Sequence, residues 1–95
     1  PMTAPTSMTV DALKAAILAE IAIIAPDAEL GGLDPAADLR QALDLDSMDV
    51  LNLVIALSRR LAIEIPDADA GQMVTLDGGA TYLQGKLQAT TQSRT

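Results

Sequence analysis

Apolar residues along this chain recur at helical rather than strand spacing. Leu13, Ile17, Ile21 and Ile24 are separated by four, four and three positions, which puts them on one stripe of an amphipathic helix. Leu18 and the neighbouring alanines widen the stripe, and Lys14 and Glu20 occupy the other side. Thr9 is suited to the N-cap, and Asp11 in the first turn complements the helix dipole. Pro26 ends the element, because a proline inside a helix costs roughly 3 kcal/mol. The spacing predicts a first helix over residues 9–25.

Residues 26–46 show no sustained period. Gly31–Gly32 and Asp34–Pro35 are turn signals, and Leu30, Leu33, Leu39, Leu43 and Leu45 are scattered anchors for a long loop, with room for a helical turn within residues 35–42. Loops of this length inside a compact domain usually carry function. The second helix is the clearest element. Asp46 is suited to cap it, and Val50, Leu53, Val54, Leu57 and Leu61 follow the i, i+3, i+4, i+7 pattern. Ile63 and Ile65 then lie on an extended exit into Pro66, and residues 67–72 suit one short helix. Thr75 is placed to cap a last helix with Leu76, Ala80, Leu83 and Leu87 as its stripe, weakened by Gly78 and Gly79 by up to about 1 kcal/mol each. The fold class is therefore all-α: a four-helix bundle of three main helices plus one short helix, with a long loop between the first and second. Residues 9–87 form the domain, with residues 1–8 as a disordered leader and residues 88–95 as a disordered tail.

Composition narrows the chemistry. Among 95 residues there is no Cys and no His, and Tyr82 is the only aromatic. Thiolate chemistry, sulfur-ligated zinc and the commonest general base are excluded. Thirteen acidic against six basic residues give a net charge of −7. A chain this acidic is repelled by nucleic acid and by anionic membrane surfaces, and its protein partners are expected to carry basic patches. Lys14, Glu20 and Asn52 interrupt the longest apolar stretches, so none reaches the length of a membrane span. The opening residues lack the basic and apolar regions of a signal peptide. A cytoplasmic, monomeric protein that is not membrane-embedded is expected.

The densest acidic cluster is Asp44, Asp46 and Asp49. It fails as a calcium loop, because the fifth, sixth and twelfth positions would be Met48, Asp49 and Ile55. The Asp67–Asp69 pair fails similarly, with Gly71 and Gly78 at the fifth and twelfth positions. The two glycine pairs match neither a phosphate-binding loop nor a dinucleotide fingerprint. A carboxylate pair for glycoside hydrolysis would need a cleft, and a domain this small has no aromatic sugar platforms to line one. Neither a metal site nor a set of catalytic residues emerges, and an autonomous enzyme is not expected.

Asp46-Ser47-Met48-Asp49 stands apart by its position at the start of the second helix, directly after the long loop. Taken alone, Asp46 or Ser47 is an N-cap worth about 1 kcal/mol, and Asp49 complements the dipole. A serine hydroxyl in the first turn is also exposed, beside backbone N–H groups that favour a phosphate attached there. With no His to activate it, Ser47 is better placed to be modified than to react unaided.

These four residues resemble the D-S-[LM]-D signature of the acyl carrier proteins, whose serine carries 4′-phosphopantetheine. The resemblance extends to VLNLVIALSRRLAIEIPDAD at residues 50–69, similar to the family's second helix, its extended exit and its I-P-D/E turn. It continues to the last helix with its Tyr82-Leu83 pair, and in all covers roughly residues 9–87. It implies a four-helix fold and attachment of 4′-phosphopantetheine to Ser47 by a separate phosphopantetheinyl transferase. Acyl groups would then be held as thioesters on the arm and presented to acyl-loading and acyl-transfer enzymes. The resemblance also implies that Asp46 orients Ser47, that Met48 makes apolar docking contacts, and that Asp44 and Asp49 add charge for basic partners.

Two departures bear on the pathway. Where fatty-acid members have Asp-Leu-Gly before the motif, this chain has Ala42, Leu43 and Asp44; where they have acids along the second helix, it has Asn52, Ser58, Arg59 and Arg60. Arg59 and Arg60 are either simply solvated or select partners with an acidic patch, and the departures together point to a specialised lipid or polyketide pathway. The alternative within the same fold is a peptidyl or aminoacyl carrier loaded by an adenylating enzyme. A helical interaction module that carries no arm is the third class, and Ser47 argues against it.

Overall fold

The computed structural model describes residues 8–93, with side chains to Gln88. The chain forms α1 (Val10–Ile24), α2 (Leu39–Ala42), α3 (Ser47–Leu61), a 3-10 helix (Asp67–Met73) and α4 (Leu76–Ser93). Among the described residues there is no strand beyond one isolated bridge between Asp38 and Thr75. The all-α bundle expected from the spacing is the architecture observed.

Local chemistry sets the helix ends. The Thr9 hydroxyl accepts from the Ala12 N–H at 3.1 Å and starts α1. The Thr75 hydroxyl accepts from the Gly78 N–H at 2.9 Å and starts α4. α3 ends at Ala62, which takes a left-handed conformation with φ 56° and lets the Ile63 N–H reach the Ser58 carbonyl. Beyond it Ile63 and Ile65 face inward and Glu64 outward, as the alternation of the exit implies.

One core joins the three long helices. Leu13, Ile17 and Ile21 of α1 meet Leu53, Val54 and Leu57 of α3 and Leu76, Ala80, Leu83 and Leu87 of α4. The stripe of α4 is buried at every expected position. On α1 and α3 the stripe runs out at its ends, where Ile24, Val50 and Leu61 are half-buried. Gly79 permits the close approach of α4 to α1: an added Cβ would lie 3.2 Å from the Met73 methyl and 3.4 Å from Ile17. The glycine that weakens the helix by propensity therefore serves the packing.

The long loop is tacked down by Leu39 and Leu45, which are buried, with Leu30, Leu33 and Leu43 packed partly against the core. Its far end is pinned to the start of α4: the Leu39 N–H donates to the Val74 carbonyl at 2.7 Å, and the Asp77 N–H to the Pro35 carbonyl at 3.0 Å. These bonds hold α2 beside the 3-10 helix and so fix one side of the site below.

The domain edges differ from expectation. Met8 belongs to the fold: it packs against the core, and its carbonyl accepts from the Gln84 amide at 3.1 Å. Residues 1–7 of the expected leader lie outside the described residues. At the other end α4 continues to Ser93 rather than yielding to a tail at residue 88. The apolar stripe stops at Leu87, but no glycine or proline follows Gly85, so nothing in the backbone interrupts the hydrogen-bond ladder. Arg94 and Thr95 lie outside the described residues.

Candidate functional site

The site is built at the junction of the long loop with α3. Asp44 adopts φ 56°, a left-handed conformation that turns the chain after α2, and Leu45 is buried directly behind it. Glycine is freest at such a position, and Asp is among the few other residues that tolerate it. With Ala42, this is one of the two positions where the sequence departs from Asp-Leu-Gly.

Asp46 then caps α3. Its carboxylate accepts from the Asp49 N–H at 2.8 Å, and the Asp49 carboxylate accepts from the Asp46 N–H at 3.3 Å. This reciprocal capping box is the one named in the motif by its two acids. It leaves the N–H groups of Ser47 and Met48 at the mouth of the helix, where the dipole is positive. Ser47, the first helical residue, is exposed. The fixed cap holds its Cα in place while its hydroxyl stays accessible to a macromolecule.

Beside Ser47 opens a groove of about 400 Å³, lined by Val50, Leu51 and Val54 of α3, Asp67 and Ala70 of the 3-10 helix, and Arg40 of α2. Its walls are mainly aliphatic, with Arg40 and Asp67 as the charged members. Arg40 is held from behind: its Nε and Nη2 donate to the two Asp38 carboxylate oxygens at 3.1 and 2.9 Å. The same carboxylate caps α2 through the Arg40 N–H at 2.9 Å. Hydrogen bonding to Arg40 holds the Asp38 carboxyl below the usual carboxylate range, and the Arg40 guanidinium is correspondingly raised.

The 3-10 helix that supplies Asp67 and Ala70 is tied to α4 by Tyr82, whose hydroxyl donates to an Asp69 carboxylate oxygen at 2.5 Å. Burial, then the hydrogen bond to Asp69 and its charge, push the phenol up to about 12.

From Ser47 an apolar strip runs along the outer face of α3. Met48 is 60% exposed, Leu51 42% and Ile55 41%, at i, i+3 and i+7. Leu51 and Ile55 were not among the residues singled out from sequence. Their signal was present, since both share the face of Met48 and lie off the buried Leu53-Val54-Leu57 stripe. Arg40 was missed for a different reason: only the fold brings α2 to Ser47.

The structure brings Asp44, Asp46, Ser47, Met48 and Asp49 together at one helix end. It does not bring Arg59 and Arg60 there, because twelve residues of helix put them roughly 18 Å away along the axis. The two arginines also differ. Arg60 donates to Glu20 of α1 at 2.9 Å, so its charge is shared within the fold, whereas Arg59 is exposed and makes no ion pair among the described residues.

Groups that could add a metal are missing among the described residues: no three His, Cys, Asp or Glu side chains are grouped to hold one. What the arrangement offers is an accessible hydroxyl at a positive helix end, a neighbouring apolar groove with one cation at its edge, and an apolar strip for a partner.

The family model described as the phosphopantetheine attachment site matches residues 11–83. Among solved structures, the chain is similar to the solution structure of a protein assigned as an acyl carrier protein in Anaplasma phagocytophilum. The two are 27% identical with a TM-score of 0.71, over 86% of this chain and 96% of that one. It is also similar in fold to 3-oxo-butyl-ACP, an intermediate mimic from the actinorhodin polyketide synthase of Streptomyces coelicolor. That pair is 24% identical with a TM-score of 0.63, over 86% of this chain and 93% of that one.

Proposed function

The chain belongs to the phosphopantetheine-attachment family of acyl carrier proteins, with 4′-phosphopantetheine as the covalent cofactor, and from that premise we propose that Ser47 carries the arm for a specialised lipid or polyketide pathway. The observation that carries this reading is the exposed Ser47 hydroxyl at the first turn of α3, at the mouth of an apolar groove. The residues fit the group. The free N–H groups of Ser47 and Met48 suit a phosphodiester on the serine oxygen, and the aliphatic walls suit an alkyl and amide chain. When bound, the arm supplies the thiol, and so the thioester chemistry, that a chain without Cys lacks.

The chain's own residues bind and orient. Asp46 and Asp49 lock the first turn so that Ser47 stands clear of it. Met48, Leu51 and Ile55 give partner enzymes an apolar strip next to the arm, and methionine adapts to more than one partner surface. Asp44 and Asp49 add negative charge for a basic partner such as the phosphopantetheinyl transferase. Arg59, exposed at the far end of the same helix, favours a partner with an acidic patch there. No proton transfer by the chain is required, in keeping with a non-catalytic carrier. This reading expects a monomer that meets its partners one at a time in the cytoplasm; no helix among the described residues is long and apolar enough to cross a membrane.

Intact-protein mass after incubation with coenzyme A and a promiscuous transferase tests the assignment. The expected result is a gain of one phosphopantetheinyl group by the wild type and none by Ser47→Ala. A gain by Ser47→Ala, or none by a wild type whose helical circular dichroism is intact, overturns it. Loading with fatty acids against amino acids by their respective ligases then separates an acyl from an aminoacyl carrier.

A further inference from the structure

We infer that Arg40 is a positioning residue for the arm: its guanidinium holds the phosphodiester on Ser47 at the edge of the groove. This rests on the assignment of the arm to Ser47. The neighbourhood of Ser47 is acidic, with Asp44, Asp46 and Asp49 on one side and Asp67 on the other, in a protein of net charge −7. A phosphodiester placed there needs a counter-charge beyond two backbone N–H groups. Arg40 is the one basic residue lining the groove among the described residues. Lys14 and Arg60 pair with Asp77 and Glu20 and do not line the groove, whereas Arg40 lines it while paired with Asp38.

Arg40 is also prepared for the task. Of the five N–H donors of a guanidinium, two are spent on Asp38, which leaves three that meet no acceptor among the described residues. The two-point contact fixes the plane of the guanidinium and removes much of the entropy that a free arginine loses on binding. Lysine in its place would keep the charge but lose the fork. Asp38 is in turn fixed by its role as the cap of α2, and α2 by the Leu39 N–H to Val74 bond. The cation is thus held at the groove by a chain of contacts that ends in the core. The phosphodiester is chosen over a charged group on the cargo because Arg40 and Ser47 line the same groove, close to the point of attachment.

The test uses the full chain in apo and arm-bearing forms, with loading verified by intact mass. Nitrogen–proton NMR follows the Arg40 Nε–H, and phosphorus NMR follows the phosphodiester. The Arg40 signal is expected to shift on loading of the wild type and to stay in place in transferase-treated Ser47→Ala. The phosphorus line is expected to shift and narrow in loaded Arg40→Gln as the arm loosens, with Arg40→Lys between the two. The wild-type phosphorus position should approach that of Arg40→Gln in about 1 M salt, where the screening length is about 3 Å.

Loading that leaves the Arg40 signal and the phosphorus line of Arg40→Gln unchanged overturns the inference while Ser47 stands as the attachment site. A shift of Arg40 only when the arm carries a carboxylated acyl group overturns it in favour of cargo recognition. Absence of loading at Ser47 overturns the proposed function and the inference with it. Circular dichroism of Arg40→Gln and Arg40→Lys confirms that each is folded.

Discussion

Tyr82 offers a direct optical test of how the groove is held. It is the only aromatic residue in the chain, so its ionisation dominates the near-ultraviolet absorbance change without overlap from other aromatics. Its hydroxyl donates to Asp69, and Asp69 belongs to the same 3-10 helix as Asp67 and Ala70, which wall the groove beside Ser47. Burial of the ring, the hydrogen bond and the Asp69 charge all disfavour the phenolate, and raise its pKa from about 10 to about 12. Because the folded value is the higher one, the associated stability is complete below the unfolded value of about 10 and is lost as pH rises through about 12. That difference corresponds to about 2.7 kcal/mol as a ceiling. The ring is only half-buried and solvent screens the pair, so a contribution of about 1 kcal/mol is the reasonable expectation.

The assay is an alkaline titration of tyrosinate absorbance, with far-ultraviolet circular dichroism recorded on the same samples. A midpoint near 12 with helix content retained is expected, against a midpoint near 10 in urea. Asp69→Asn should move the folded midpoint down, short of 10, because burial of the ring persists. Tyr82→Phe should lower stability by about 1 kcal/mol, the usual net worth of one hydrogen bond, or 4–8 °C in Tm for a domain of this size. A folded protein that titrates at 10 would refute the reasoning, and with it the role of Tyr82 as the tie between α4 and the groove wall.

Further perturbations test other parts of the argument. Ala62→Gly should raise stability by about 0.5–1 kcal/mol, because Ala62 is exposed and strained at φ 56° and loses no packing; a lower midpoint in chemical denaturation would count against that turn. Asp46→Ala should cost about 1 kcal/mol and slow transferase loading of Ser47, whereas Asp46→Asn, which still caps, should cost little; equal loading rates for all three proteins would separate the cap from the orientation of Ser47. Leu57→Ala, at the meeting of the three long helices, should cost 2–5 kcal/mol by thermal melt. Arg59→Glu should slow a partner with an acidic patch without changing Tm. Arg60→Glu should lower Tm, because the new carboxylate faces Glu20; the reverse pattern would reassign the two arginines.

Much of this molecule is legible in one dimension because its helices are locally specified. The four-, four- and three-residue spacing of Leu13 to Ile24, the run from Leu76 to Leu87 and the acid pair around Ser47 each act within a few turns of backbone, and periodicity and capping describe such interactions completely. Where the boundary depends on a breaker, as at Pro26, it falls within a residue or two of the expected place; where the apolar stripe merely ends, as after Leu87, the helix runs on to Ser93. Tertiary structure alone decided the rest. α2 is four residues long and has no period to read, yet the Leu39 bond to Val74, with the Pro35 bond to Asp77 in the loop before it, carries Arg40 to Ser47. The same is true of Tyr82 and Asp69, thirteen positions apart, and of Arg60 and Glu20, forty apart, whose pairing leaves Arg59, of the two neighbouring arginines, without an ion pair among the described residues. Such contacts depend on how the helices are placed against one another, and that placement is set by the shape of the buried faces, including the space left by Gly79, which no spacing rule along the chain encodes.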